Sequence, residues 1–214
     1  MEDSIKYYKN HRSEMIKFLP STYMKVLDVG CGEGEFRKNL TSPNEYWGVE
    51  LVNSVAEKAS IHLDKVITST YLTAEAQLPD NYFDLVICND VIEHMADHDE
   101  FLQRIKKKMT QNGVLVASIP NVRYLPNLIN LVLRKDWKYT NEGILDKGHL
   151  RFFTQKSIMN DMRSNGYEIE DMAGINPVKA SSSGVKKLLL ALLVNTLGRD
   201  TQYLQFGLRA RNDC

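Results

Sequence analysis

The segment Val26-Leu27-Asp28-Val29-Gly30-Cys31-Gly32-Glu33-Gly34 constrains this chain more than any other. A short apolar run ends in a carboxylate, and glycines then fall at every second position. Glycine reaches positive φ at little cost and lets a ligand approach the main chain. A strand entering such a turn, with a helix expected from near Glu33, opens a strand–turn–helix unit. Open α/β sheets bind ligands at that carboxyl end of a strand. The spacing is G-x-G-x-G, not the G-x-G-x-x-G turn that sets a pyrophosphate on a helix N-terminus. A fixed anion at Asp28 suits a cationic ligand instead. Glu50 closes the next apolar run, and a carboxylate at about 20 residues' distance can take both hydroxyls of a ribose. Together the two acids predict a nucleoside that carries a positive charge.

Further apolar runs follow at 46–50, 65–68, 83–88 and 113–119. They are β-branched and nearly continuous, as in strands covered on both faces. Phe101, Leu102, Ile105 and Met109 recur at helical spacing between two of them. Strands alternating with helices imply right-handed crossovers and a parallel sheet. The Arg104–Lys108 run reads as the solvated face of that helix. Beyond Pro120 the rhythm changes, and 121–150 shows no clear strand. Thr154 is a candidate N-cap for a helix that Asn165-Gly166 ends. Strands are expected at 167–170 and 203–210. Between them, 181–184 reads as a loop and 185–197 as a helix that packs on the sheet. One domain over 1–214 is expected, with a cofactor half at about 21–120 and a substrate-side insertion at about 121–153 within it.

Composition matters for what it excludes. Lys+Arg and Asp+Glu are both 27, so the formal charge is zero. That lacks the basic excess of nucleic-acid binders, and no nucleic-acid partner is expected. Three cysteines, Cys31, Cys88 and Cys214, cannot all pair, which suits a reduced cytoplasmic setting. The first residues lack the apolar stretch of a signal peptide. The longest apolar run, Leu188–Val194, has seven residues. A membrane span needs about 20, so at most peripheral membrane contact is expected.

VLDVGCGEG, GVE, YFDLVICNDVIEHM and NGVLVASIPN, in that order, resemble the class I S-adenosylmethionine-dependent methyltransferases. The resemblance implies a Rossmann-like α/β fold, a doubly wound seven-stranded sheet that is mostly parallel with an antiparallel last strand. It implies S-adenosyl-L-methionine as cofactor. Asp28, Gly30, Cys31, Gly32 and Gly34 would wrap its methionine part, with Glu50 on the ribose and Leu51, Thr70 and Asn89 completing the set. Ser69-Thr70 stands where the family often has an adenine-binding Asp. The later segments IPNVR, YTNEGILD and GHLRFFT, with Tyr7-Tyr8 and Arg12, resemble methyltransferases of bacterial cell-surface polysaccharide assembly. The acceptor implied is a hydroxyl on a sugar or glycan, with Arg123, Tyr124 and Arg151 as substrate residues.

A hydroxyl acceptor gains from a general base, and histidine titrates in the right range. His149 is the expected base, with His94 behind it, whereas His62 and His98 are expected at the surface. Asp90, Glu93 and His94 also fall at i, i+3, i+4, which could set three donors on one helical face with His149 as a fourth. Small-RNA and ubiquinone-pathway O-methyltransferases resemble that arrangement. The expectation here is no metal, only a cap and a supporting carboxylate. Metal-assisted methylation of RNA or of a quinone-like molecule stays open as an alternative. So does a non-catalytic module that binds the cofactor beside a glycosyltransferase. Trp137, Tyr139, Phe152 and Phe153 read as satellite core or as pocket walls.

Overall fold

A computed structural model describes residues 11–41, 43, 45–179 and 184–212. Tyr7, Tyr8, Cys214 and most of the 181–184 loop lie outside the described residues. Seven strands form one sheet: β1 (Lys25–Val29), β2 (Glu45–Glu50), β3 (Lys65–Thr68), β4 (Phe83–Asn89), β5 (Met109–Pro120), β6 (Tyr167–Pro177) and β7 (Tyr203–Asn212). Their order is β3-β2-β1-β4-β5-β7-β6. β1 to β5 pair in parallel, and β7 runs antiparallel to both β5 and β6. This is the doubly wound sheet with an antiparallel last strand that the resemblance implied.

Near-continuous apolar strands follow from burial on both faces. Alternate side chains of one strand enter opposite cores. Leu27, Val86, Cys88, Leu115 and Ala117 face one layer with Tyr71, Phe101, Ile105 and Ile158. Val26, Leu85, Ile87, Val114 and Val116 face the other with Met15, Phe18, Phe36 and Leu63. Neither set reaches water, so neither face of the central strands carries the polar alternation of a half-exposed sheet.

The helices are α1 (Asn53–Ala59), α2 (Tyr71–Ala74), α3 (His98–Lys108), α4 (Leu125–Val132), α5 (Gln155–Ser164) and α6 (Gly184–Leu197). α5 starts at Thr154 in a reciprocal capping box with Ser157 and stops before Gly166, which takes φ 71°. On α3, Arg104 pairs with Glu75 and Glu100, and Lys108 reaches Asp80 and the Leu78 carbonyl.

Four expectations need correction. The helix after the glycine turn is only a 3-10 segment, Glu35–Asn39, that starts behind Gly34 at φ 81°. β6 runs well past residue 170, to Pro177. α4 lies where no element was expected. The helix at 185–197 does not lay its leucines on the sheet: Leu188, Leu189, Leu192 and Leu197 are exposed, and Val194 is buried.

Candidate active site

The strand order reverses between β1 and β4, and the crevice opens beyond their carboxyl ends. A cavity of about 580 Å³ fills it, within the usual range of small-molecule sites. The glycine turn forms its floor. Gly30 and Cys31 donate their backbone N–H groups to the Val49 carbonyl at 2.8 and 3.2 Å, which ties the turn to β2. Gly30 and Gly32 both take positive φ. A Cβ on Gly30 would stand 2.9 Å from Val91 Cγ2, so the turn and the segment after β4 touch only because no side chain intervenes.

Asp28, Gly30, Cys31, Gly32, Glu50, Leu51, Thr70 and Asn89 all line this cavity. The Tyr46 hydroxyl donates to Asp28 Oδ2 at 2.7 Å. Burial pushes the Asp28 carboxyl up to about 7; the Tyr46 bond opposes that rise and the nearby Glu50 adds to it. Two buried acids side by side favour a ligand that carries positive charge. Glu50 Oε2 accepts from the Gly32 N–H at 3.1 Å and Oε1 from the Val52 N–H at 2.9 Å. These bonds fix the carboxylate and leave lone pairs for a diol. Asn89 Oδ1 is buried with no hydrogen-bond partner. Burial raises the Cys31 thiol far above its ordinary pKa, so it packs rather than reacts. Thr70 Oγ1 accepts from the Thr73 N–H and caps α2.

Gly34 stands outside the cavity wall. It packs against Ala59 and Leu63, where a Cβ would come within 3.4 and 3.3 Å. Arg123, Tyr124 and Arg151 are also absent from the wall. Arg123 Nε donates to Asp200 Oδ2 at 2.6 Å and Nη2 to the Leu197 carbonyl. Tyr124 precedes α4, and Arg151 donates to the Ala96 carbonyl. Phe152 packs with Trp137 and Tyr139, and Phe153 is buried against His98. His98 is therefore packed, not a surface residue, while His62 is exposed.

The structure adds residues that were not singled out for the cofactor. Arg12 lines the cavity and bonds Asp90 Oδ2, Ser118 Oγ at 2.8 Å and Gln205 Oε1 at 3.3 Å. Burial works against the Arg12 charge, but Asp90 and Glu14 outweigh it and raise its pKa. Asp90 Oδ1 also accepts from Ser118 and Gln205.

That network removes Asp90 from the ligand set weighed above, and residues 92–94 form a 3-10 turn instead of a helical face. Glu93, His94 and His149 do meet: one ligand atom from each lies within 4.8 Å of the others. His94 Nδ1 lies 2.9 Å from the Gly148 carbonyl, and His149 Nδ1 lies 2.9 Å from the Ile144 carbonyl. A carbonyl only accepts, so each Nδ1 carries a proton, and in the neutral ring each Nε2 keeps a lone pair. The rings sit edge to face with centroids 4.8 Å apart. Burial lowers the His149 pKa, the Ile144 bond opposes this, and His94 adds to the lowering.

Glu93 is completely buried, and neither carboxylate oxygen has a hydrogen-bond partner. Burial above all, then Asp90, raises its pKa well above the ordinary range. Its main-chain carbonyl accepts from the Leu150 and Arg151 N–H groups at 2.8 and 3.1 Å, which draws 148–151 onto the site. A Cβ on Gly148 would stand 3.0 Å from Asp146 Oδ1 and 3.1 Å from His94 Nδ1, so the segment packs closely on the site. His94 and Leu150 line the same cavity as Asp28 and Glu50.

A sheet of this order with an acid-lined crevice at its switch point defines a nucleoside-binding α/β protein. The sequence pattern of the family described as "Methyltransferase domain" matches residues 6–171, and the chain belongs to that family. Its fold is that of the class I methyltransferases, and S-adenosyl-L-methionine is its cofactor. A ubiquinone biosynthesis O-methyltransferase of Rickettsia bellii is 28% identical over 159 residues, which cover 71% of this chain and 65% of that protein. The mitochondrial ubiquinone biosynthesis O-methyltransferase of Rattus norvegicus is 29% identical over 172 residues, 73% of this chain and 48% of that protein. The chain thus spans about half to two-thirds of the length of these relatives. A solved SAM-dependent methyltransferase of Thermotoga maritima superposes with TM-score 0.66 at 19% identity, over 99% of this chain and 95% of that one. Relatives of the polysaccharide-assembly kind are not among these.

Proposed function

We propose that the chain methylates a hydroxyl of a small, quinone-like aromatic molecule, with a divalent cation at Glu93, His94 and His149. The observation that carries this reading is the buried Glu93 carboxyl, whose oxygens have no hydrogen-bond partner, set with His149 Nε2 at 3.8 Å and with one ligand atom each of His94 and His149 within 4.8 Å. Such a group is costly to bury unless a cation meets it, and neutral imidazole with its other nitrogen held by a carbonyl is a common metal ligand. The ubiquinone biosynthesis relatives supply the acceptor class. The polysaccharide acceptor implied by the later sequence segments draws no support from them, and the balanced charge disfavours RNA.

The residues divide the work. Asp28 and Glu50 hold the nucleoside and its charge at the turn. When bound, the cofactor would supply a sulfonium methyl to the acceptor oxygen, with sulfur keeping the S–C bonding pair and the hydroxyl proton lost to water. Glu93, His94 and His149 would hold the cation, which would supply Lewis-acid polarisation of the acceptor hydroxyl. Leu150 and Met95 give the mouth an apolar wall that suits an aromatic ring.

A second reading keeps His149 as the general base, favoured by its pinned Nδ1 and lowered pKa. One experiment separates the two. Chain stripped with EDTA is titrated with Mn²⁺ or Zn²⁺ by calorimetry, and S-adenosylhomocysteine release is followed on a catechol and on a nucleotide sugar. Turnover of the catechol only when the ion is restored supports the metal reading. Full turnover in EDTA, lost in His149→Ala, supports the base. Glu93→Gln is expected to weaken ion binding by on the order of tenfold or more while S-adenosylhomocysteine affinity stays the same.

A further inference from the structure

The cavity accounts for the carboxyl edge of β1 and β4. Two apolar helices on that same edge have no role in it. β6 ends at Pro177, β7 begins at Tyr203, and α6 joins them. Pro177 pairs with Tyr203, Gln205 with Pro120, and Ser118 with Asn89. α6 therefore leaves and re-enters the sheet at the edge where the cavity opens. α4 follows the end of β5 at the same edge. Arg123, just before α4, donates to the carbonyl of Leu197 at the end of α6, which joins the two helices there.

Both helices show their leucines to solvent. Leu188, Leu189 and Leu192 are 73%, 55% and 62% exposed, and Val132 and Leu133 are 66% and 74% exposed. Single exposed apolar residues are ordinary, but clusters of this kind mark an interaction surface. The flanking charge is predominantly basic. Residues 172–199 contain Lys179, Lys186, Lys187 and Arg199 and no Asp or Glu. Residues 121–139 contain Arg123, Arg134, Lys135 and Lys138 against one acid, Asp136, and Arg123 is paired with Asp200. In a chain of zero net charge, that excess puts Lys187, Arg134 and Lys135 near exposed leucines on one edge. Half-buried Trp137 and exposed Tyr139 follow α4, and such aromatics favour the headgroup level.

We propose that α4 and α6 dock on an anionic phospholipid bilayer and bring the mouth of the cavity to its surface. Leucines enter the acyl boundary while lysines and arginines meet phosphate headgroups. α6 has 14 residues, about 21 Å of helix, too short for a hydrocarbon core of about 30 Å. Among the described residues no helix is long and apolar enough to cross a membrane. The helices thus lie on the bilayer and do not span it. This docking does not depend on which acceptor is methylated.

Flotation of the full chain with vesicles tests it. Wild type is expected to float with phosphatidylcholine–phosphatidylglycerol vesicles and to stay down with phosphatidylcholine alone, with binding reduced at high salt. Leu188→Glu with Leu192→Glu is expected to lower partitioning by on the order of tenfold, and Lys187→Glu to weaken it less. All variants should keep wild-type circular dichroism and S-adenosylhomocysteine affinity, since none of these residues touches the cavity. Failure to float with either composition overturns the proposal. So does equal partitioning of wild type and the double glutamate variant. A dimer in sedimentation that the double variant dissociates, without vesicle binding by wild type, assigns the face to a second copy and also overturns it.

Discussion

Asp28 shows how one side chain sets the pH response of the site. Its folded pKa is about 7, against about 3.9 for a free carboxyl. Between those values the folded chain keeps a proton that the unfolded chain has lost, so stability falls as pH rises through that window. Asp28→Asn removes this loss. The unliganded variant is expected to melt above wild type at about pH 8 and level with it at about pH 3, below both pKa values. The cofactor's charge favours ionised Asp28, so wild-type affinity should weaken as pH falls below about 7. The variant should bind weakly at every pH. Calorimetry across that range reads both effects, and tighter wild-type binding at low pH would contradict an anionic Asp28. Asp28 and Glu50 were legible because each ends a strand at a fixed offset from the glycines. Arg12 was not legible as a cofactor-side residue, because Ser118 and Gln205 lie 106 and 193 residues away along the chain.

At the scale of elements, local signals succeeded where the stabilising contacts are local. The Thr154–Ser157 box lies within one turn, and α5 starts and stops where the sequence indicates. Thr154→Ala is expected to cost about 1 kcal/mol, a fall in Tm of roughly 2–4 °C in a chain of this size. A thermal melt within experimental error of wild type would show that the box adds nothing. α4 was missed although Leu125, Leu128, Ile129 and Val132 keep helical spacing and Pro126 sits in the first turn. The failure at α6 differs in kind. An apolar face was rightly recognised, but apolarity cannot say whether the sheet or a partner covers it.

For the whole molecule, the cofactor is expected to act as a staple across the switch point. It would touch the β1 turn, the end of β2 and the end of β4 together, and a ligand that binds only the folded chain stabilises it by mass action. S-adenosylhomocysteine at about 100 times its Kd contributes about 2.7 kcal/mol, which corresponds to a Tm rise of roughly 5–10 °C. Differential scanning fluorimetry reads this directly, and an unmoved Tm would contradict a nucleoside site at Asp28 and Glu50.

The amino-acid sequence by itself determined the alternation of strands and helices and the turn that floors the crevice, while the doubly wound order was implied by the resemblance to class I methyltransferases. The first two depend on strand patterning and on the glycine turn, whose conformations are set by neighbours a few residues apart. Only the tertiary structure decided the rest of the site. It brought His149 onto Glu93 and His94 across more than 50 residues, left Asp90 to Arg12, and left the leucines of α6 in water. Each of those outcomes is a competition among distant groups for one partner or one surface. Burial and hydrogen-bond geometry settle that competition only when the whole chain has closed.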